Sequence, residues 1–221
     1  MPLRFRKTPT GWNDDGLASS LAHEGFLEAF NNLEQKLLEE IRALTGGEPR
    51  KVEICGHSLG GALATLCALW CKIHWPHVDT TCVTLGSPRV GDENFATAFS
   101  RRNINCYRLI IPSDPFPTLP DSYTSTIPFE ISLSKSWKVG WREPPSGDAP
   151  AWRHVGRKIV IRRFEEDIGN EYEESDGIPN VGWFYWISRG WRTVSNLNAH
   201  DPGVYATSVQ KMLEGGAVYG E

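Results

Sequence analysis

The chain has 221 residues, 40% hydrophobic and 23% charged, which is enough for one sizeable core in an ordinary globular protein. Its formal net charge of -4 lacks the basic footprint of a nucleic-acid binder, so no nucleic-acid partner is expected. No apolar run approaches the roughly 18 residues of a membrane span, and the first residues carry no signal-peptide pattern, which predicts a cytoplasmic location by default.

In chain order, residues 3–6 read as a short strand, and 9–20 as a polar, turn-rich stretch. A helix follows, with Phe26, Phe30, Leu33, Leu37, Ile41 and Leu44 on one stripe and Gly46-Gly47 as its stop. Residues 51–55 form a strand with Val52 and Ile54 inward. The next helix carries Leu59, Leu63, Leu66, Trp70 and Ile73 on one face and ends at Pro76. Residues 80–85 are a β-branched strand, 92–100 a short helix, and 104–111 a strand closed by Pro112. This alternation predicts a mainly parallel sheet with helices on both faces, an α/β fold.

Beyond Pro120 the pattern weakens. Trp137, Trp141 and Trp152 flank Pro144-Pro145, and residues 158–164 read as a strand. An acidic stretch from Glu165 to Asp176 reads as a solvated loop, and an aromatic cluster runs from Trp183 to Trp191. A last helix carries Tyr205, Val209 and Met212. With no repeat and no low-complexity linker, residues 1–221 are expected to form one domain. The five cysteines are odd in number and read as reduced thiols, with Cys55, Cys82 and Cys106 buried in strands. Cys67, Cys71 and His74 share a helix face, but their spacing matches no standard zinc signature, and packed cysteines are the favoured reading.

The chemistry-bearing motif is Gly56-His57-Ser58-Leu59-Gly60. It lies between a strand and a helix, as a nucleophile elbow requires, so Ser58 is the expected nucleophile. A serine hydroxyl needs a base, and that base an orienting carboxylate, in the chain order nucleophile, acid, histidine. Asp114, in the rigid turn Pro112-Ser113-Asp114-Pro115 just after a strand, is the natural acid, with Asp121 a rival. His200, in a loop before the last helix, is preferred as base to His154, which enters a strand. His23 and His57 fall in the wrong order. The N–H of Leu59 is one expected oxyanion donor, and the segment 6–8, ending in Thr8, supplies the other.

These motifs together resemble the class 3, or fungal lipase-like, family of the α/β-hydrolase superfamily. Phe5-Arg6-Lys7-Thr8 is similar to its oxyanion strand, and His23-Glu24-Gly25-Phe26 to its His-x-Gly-Phe helix start. Gly56 to Ala64 matches its nucleophile motif, and Gly86-Ser87-Pro88-Arg89-Val90-Gly91 its Gly-x-Pro-Arg-Val-Gly turn. Asp114-Pro115 resembles its acid loop, His154-Val155-Gly156 a non-catalytic His-x-Gly motif, and His200 with Tyr205 the terminal histidine near a tyrosine. The resemblance implies Ser58, Asp114 and His200 as the triad, Thr8 and Leu59 as oxyanion donors, and residues 9–20 as the lid region with Trp12 as an apolar contact. It implies hydrolysis of acyl esters, such as acylglycerols or phospholipid sn-1 esters, without metal or organic cofactor. Transient contact with a membrane or lipid interface goes with such substrates.

Three departures stand out. Family members carry strands and a helix upstream of the oxyanion strand, so the sheet is expected to be N-terminally truncated relative to the family. Lys7 replaces the usual glycine, and would be strained if that position needs φ > 0. The acid and histidine are far apart, with the tryptophan-rich and acidic stretch between them. A catalytically inactive lipase-like scaffold for protein interaction is the rival from another class, and a triad acyltransferase a third reading.

Overall fold

The computed structural model describes residues 5–7, 17, 19–120, 132–134, 137–138, 152–161 and 197–215. The order is β1 (Phe5–Lys7), β2 (Leu21–His23), α1 (Glu24–Thr45), β3 (Lys51–His57), α2 (Leu59–His74), β4 (Asp79–Leu85), β5 (Gly91–Asp92), α3 (Glu93–Ser100) and β6 (Asn105–Ile110). Then come β7 (Ser132–Ser134), β8 (Trp137–Lys138), β9 (Trp152–Arg153), β10 (Arg157–Val160) and α4 (Pro202–Gly215). Two 3₁₀ turns, Phe116–Thr118 and Leu197–His200, lie among the functional loops.

The expected parallel sheet is present, in the order β10-β6-β4-β3 with every neighbouring pair parallel. Strand alternation sends neighbouring residues to opposite faces. Cys82 and Cys106 join the core under α1, α2 and α3. Val83, Leu85, Tyr107 and Leu109 instead meet Ile111, Ile161, Ala199 and Tyr205 on the α4 side. Helices therefore cover both faces, the layering of an α/β fold.

Several expectations need correction. A second sheet, β1-β2-β5-β9, is antiparallel and had no counterpart in the sequence reading. Asp92 ties it to α3: its Oδ1 accepts from Phe95 N–H at 2.8 Å as an N-cap and from Leu21 N–H at 3.1 Å. Most of the α1 stripe packs on the core, with Phe30 buried and Phe26, Leu37 and Ile41 against it, but Leu33 is 47% and Leu44 84% exposed, and Leu27 outside the stripe is buried. The last turn of α1 extends past the core, and Gly46 at φ 73° closes it as a left-handed cap. α2 is buried far beyond one face, with Gly61, Ala62, Ala64, Thr65, Ala68 and Leu69 also enclosed. Small residues there let the helix sit tightly between α1 and the sheet. Cys55 is exposed rather than buried, since β3 pairs only with β4 among the described residues and Cys55 faces outward from that edge.

The strand expected over 158–164 is observed at Arg157–Val160, and 162–164 lie outside the described residues. Of the expected lid stretch, Leu17 and Ser20 are buried and Ser19 is exposed; Trp12 lies outside the described residues. So do the acidic stretch and the aromatic cluster. Trp152 is described, buried beside His23 at a ring distance of 5.8 Å. No helix among the described residues is long and apolar enough to cross a membrane.

Candidate active site

Parallel strands bring the loops at their C-terminal ends side by side. β3 leads directly into Ser58, β4 into Gly86, and β6 runs into the loop carrying Asp114. At Ser58 the chain turns sharply from strand to helix with φ 55° and ψ -123°, a backbone conformation L-residues avoid. The turn is held by Ser58 N–H donating to Leu85 O at 2.9 Å. It is compact enough that a Cβ on Gly56 would lie 2.1 Å from the Gly60 carbonyl oxygen. Only a glycine fits there.

The three expected triad residues meet. His200 Nε2 lies 2.7 Å from Ser58 Oγ, and His200 Nδ1 lies 3.0 and 2.9 Å from the two Asp114 carboxylate oxygens. A proton on Nδ1 satisfies the carboxylate and leaves Nε2 bare to accept from the serine hydroxyl. Asp114 is 3% exposed and fully paired. Its Oδ1 also accepts from Phe116 N–H at 2.9 Å, and its Oδ2 from the Tyr205 hydroxyl at 2.7 Å. Tyr205 in turn accepts from Ile111 N–H at 3.2 Å, and burial followed by the Asp114 charge pushes its phenol far above the ordinary value. It stays protonated and donates.

The acid loop is braced from outside. Arg89 N–H donates to Leu119 O at 2.7 Å, and its guanidinium donates to Thr118 O and, at 3.2 Å, to Pro120 O. His154 Nε2 donates to Pro117 O at 2.7 Å. Burial, with Arg108 and Arg89 adding to it, holds His154 well below the ordinary histidine range. A neutral, half-buried imidazole committed to a carbonyl braces Asp114's loop, and the structure brings His200, not His154, to Ser58. Asp121 lies outside the described residues.

Leu59 is the first residue of α2. Gly61 and Ala62 N–H groups already donate to Ser58 O, at 2.9 and 3.2 Å. The Leu59 N–H has no turn of helix before it to accept from it, and it sits at the positive end of the helix dipole. Thr8 lies outside the described residues. Lys7 does not show the suspected strain: it is a strand residue paired with Leu21, and the non-glycine residues with positive φ among those described are Ser58 and Asn103.

Sequence reasoning quoted Gly86 and Tyr205 only as motif members and passed over Phe116. Gly86 has φ +57°, and a Cβ there would sit 2.7 Å from Asp114 Oδ2, 3.1 Å from the Tyr205 hydroxyl and 3.2 Å from His200 Cε1. Phe116 stacks on the His200 ring at 3.6 Å with planes 16° apart. Gly86→Ala is expected to lower kcat about 100-fold with KM nearly unchanged, because a shift of about 1 Å in a catalytic group costs that much. Steady-state kinetics on a soluble ester checks it, and wild-type kcat in the variant refutes it.

Among curated proteins, a secreted mono- and diacylglycerol lipase of Fusarium solani is 36% identical over 107 residues, 48% of this chain and 32% of that protein. Phospholipase A1-II 3 of Oryza sativa subsp. japonica is 32% identical over 224 residues, covering 85% of this chain and 53% of that protein. The chain thus spans from about a third to just over half of the length of these relatives. Among solved structures, a triacylglycerol lipase from Penicillium expansum superposes with a TM-score of 0.55 at 16% identity, over 73% of this chain and 54% of that one, a likeness of fold. A family model for lipase (class 3) matches residues 3–124, more than half of the chain, and the chain belongs to that family.

Proposed function

We propose that this chain hydrolyses carboxylic esters of lipids through an acyl-enzyme on Ser58. The observation that carries the reading is the unbroken relay Ser58–His200–Asp114 at 2.7 to 3.0 Å. Ser58 Oγ attacks the ester carbonyl while His200 Nε2 takes its proton, and Asp114 stabilises the imidazolium that forms. The Leu59 N–H, with Thr8 as its expected partner, donates to the developing oxyanion. Collapse of the tetrahedral intermediate expels the alcohol, which takes the proton from His200. Water, activated by the same histidine, then adds to the acyl-enzyme and releases the acid and free Ser58.

The names of the relatives point to acylglycerols and phospholipids as substrate classes. Transient docking at a lipid interface is part of the proposal, as is a single hydrolase domain over 1–221. A protein-interaction scaffold has no need of a buried, fully hydrogen-bonded relay, which favours the enzyme.

Incubation with a fluorophosphonate is expected to add one phosphonyl group, located by peptide mass spectrometry at Ser58. A panel of short-acyl, long-acyl and phospholipid esters then ranks the substrates. Neither adduct nor hydrolysis would overturn the reading in favour of a scaffold. Transfer of the acyl group to a competing alcohol in preference to water would make it an acyltransferase.

A further inference from the structure

His57, the residue before the nucleophile, is set aside as a base by chain order, yet its ring points into the relay. Its centroid lies 4.7 Å from the His200 ring, tilted by 39°, and 5.5 Å from the Tyr205 ring in an edge-on contact. The Nε2 of His57 is buried and without a partner among the described residues.

We propose that His57 is a positioning residue for the proposed reaction, clamping the base-carrying turn Leu197–His200 onto the nucleophile elbow. The inference rests on the serine-hydrolase reading given above. His200 follows Ser58 by 142 positions, and no strand pairing fixes its turn among the described residues. Phe116 stacks closely on the His200 ring, and His57 packs against the same ring and against that of Tyr205. Because His57 directly precedes Ser58, the turn that places the nucleophile also places the base.

The clamp must be uncharged, because His200 becomes a cation as it takes the serine proton. The titratable groups facing His57 are His200, Asp201 and Tyr205 from the histidine turn and α4, and Asp114 from the acid loop; its partner on β4 is the apolar Leu85. Burial, then the nearby His200, hold the His57 ring below the ordinary histidine value, so it stays neutral.

The test uses the full chain and a soluble p-nitrophenyl ester. His57→Ala removes the ring and is expected to lower kcat about 10- to 100-fold with KM within about twofold. The fluorophosphonate labelling rate of Ser58 should fall in parallel. His57→Phe, which keeps an uncharged ring against His200 and Tyr205, should restore both to within about threefold of wild type. If His57→Ala fails to fold by thermal melting, His57→Ser supplies the ring-free comparison with the same expected loss. Wild-type rates in the ring-free variant, or an equal loss in His57→Phe, would overturn the clamp. A wild-type chain that neither labels nor hydrolyses would instead sink the hydrolase reading itself.

Discussion

Ser58→Ala is expected to abolish ester hydrolysis, with kcat lower by about 10⁶ and the melting temperature nearly unchanged. The hydroxyl is the attacking atom, and Ser58 Oγ is the hydroxyl that His200 Nε2 contacts among the described residues. What survives is the contribution of binding and of the oxyanion donors, on the order of 10³ to 10⁴ over water. Stability should hold, because alanine keeps the Cβ and the elbow's hydrogen bond runs through the Ser58 backbone N–H to Leu85 O. Ser58→Gly separates two effects. With φ 55° and ψ -123°, position 58 carries strain of order 1–3 kcal/mol for a residue with a Cβ. Glycine relieves part of that strain, offset by its greater freedom in the unfolded chain. The glycine variant should be equally inactive but more stable than the alanine variant. Turnover in purified Ser58→Ala near the wild-type rate would refute the nucleophile, and thermal melts of the two variants test the strain.

How much of this site was legible in the sequence depends on how local each signal is. The elbow was legible because strand, tight turn and helix are contiguous, and Gly56 reports the close approach directly, whereas a Cβ on Gly60 would meet open space. Asp114 was legible because β6 ends four residues before it and the prolines mark a rigid turn. His200 could be ranked above His154 but not settled, since what distinguishes them is a contact across the fold. His154 spends its Nε2 on Pro117 O, whereas His200 reaches Ser58. The antiparallel sheet was invisible because β5 and β9 are two residues each, too short to show alternation. Cys55 read as buried because an apolar strand gives no sign of whether it borders a sheet. His57 and Phe116 escaped notice for the same reason as His154: their roles exist only once residues distant in sequence are brought around one imidazole.

Those long-range contacts share a direction. Every described group near Asp114 donates to it, namely His200, Tyr205 and the Phe116 N–H. The groups around its loop, Arg89 and His154, donate to the loop's carbonyls instead. The carboxylate is thereby held in place by its donors at a position with almost no solvent access. A preorganised charge of this kind needs no reorganisation when His200 becomes a cation, which is where electrostatic catalysis has most effect.

Asp114→Asn should therefore be nearly as damaging as loss of the nucleophile, lowering kcat by about 10⁴ with little change in KM. The amide offers one acceptor oxygen where the carboxylate offers two. The Phe116 N–H, fixed by the backbone at 2.9 Å from Oδ1, selects that side for the amide oxygen. The amide NH₂ then faces the Tyr205 hydroxyl and His200 Nδ1, both of which donate to the carboxylate in the wild type. His200 Nδ1 still lies 3.0 Å from the Oδ1 position, already shared with Phe116 N–H, but accepting from the nearer NH₂ group moves its proton from Nδ1 to Nε2, and that tautomer competes with the active one. In that tautomer it donates toward Ser58 Oγ and cannot accept from it, so the base is lost while the geometry is kept. The mismatch at Tyr205 adds about 1–3 kcal/mol of destabilisation from an unsatisfied buried donor. Kinetics and thermal melting on Asp114→Asn, with Asp121→Asn as the matched comparison expected within about threefold of wild type, decide the matter. A reversed pattern would move the acid to Asp121. A large kcat loss in Asp114→Asn with fluorophosphonate labelling equally slowed would place the defect in proton transfer from Ser58, before any ester is bound.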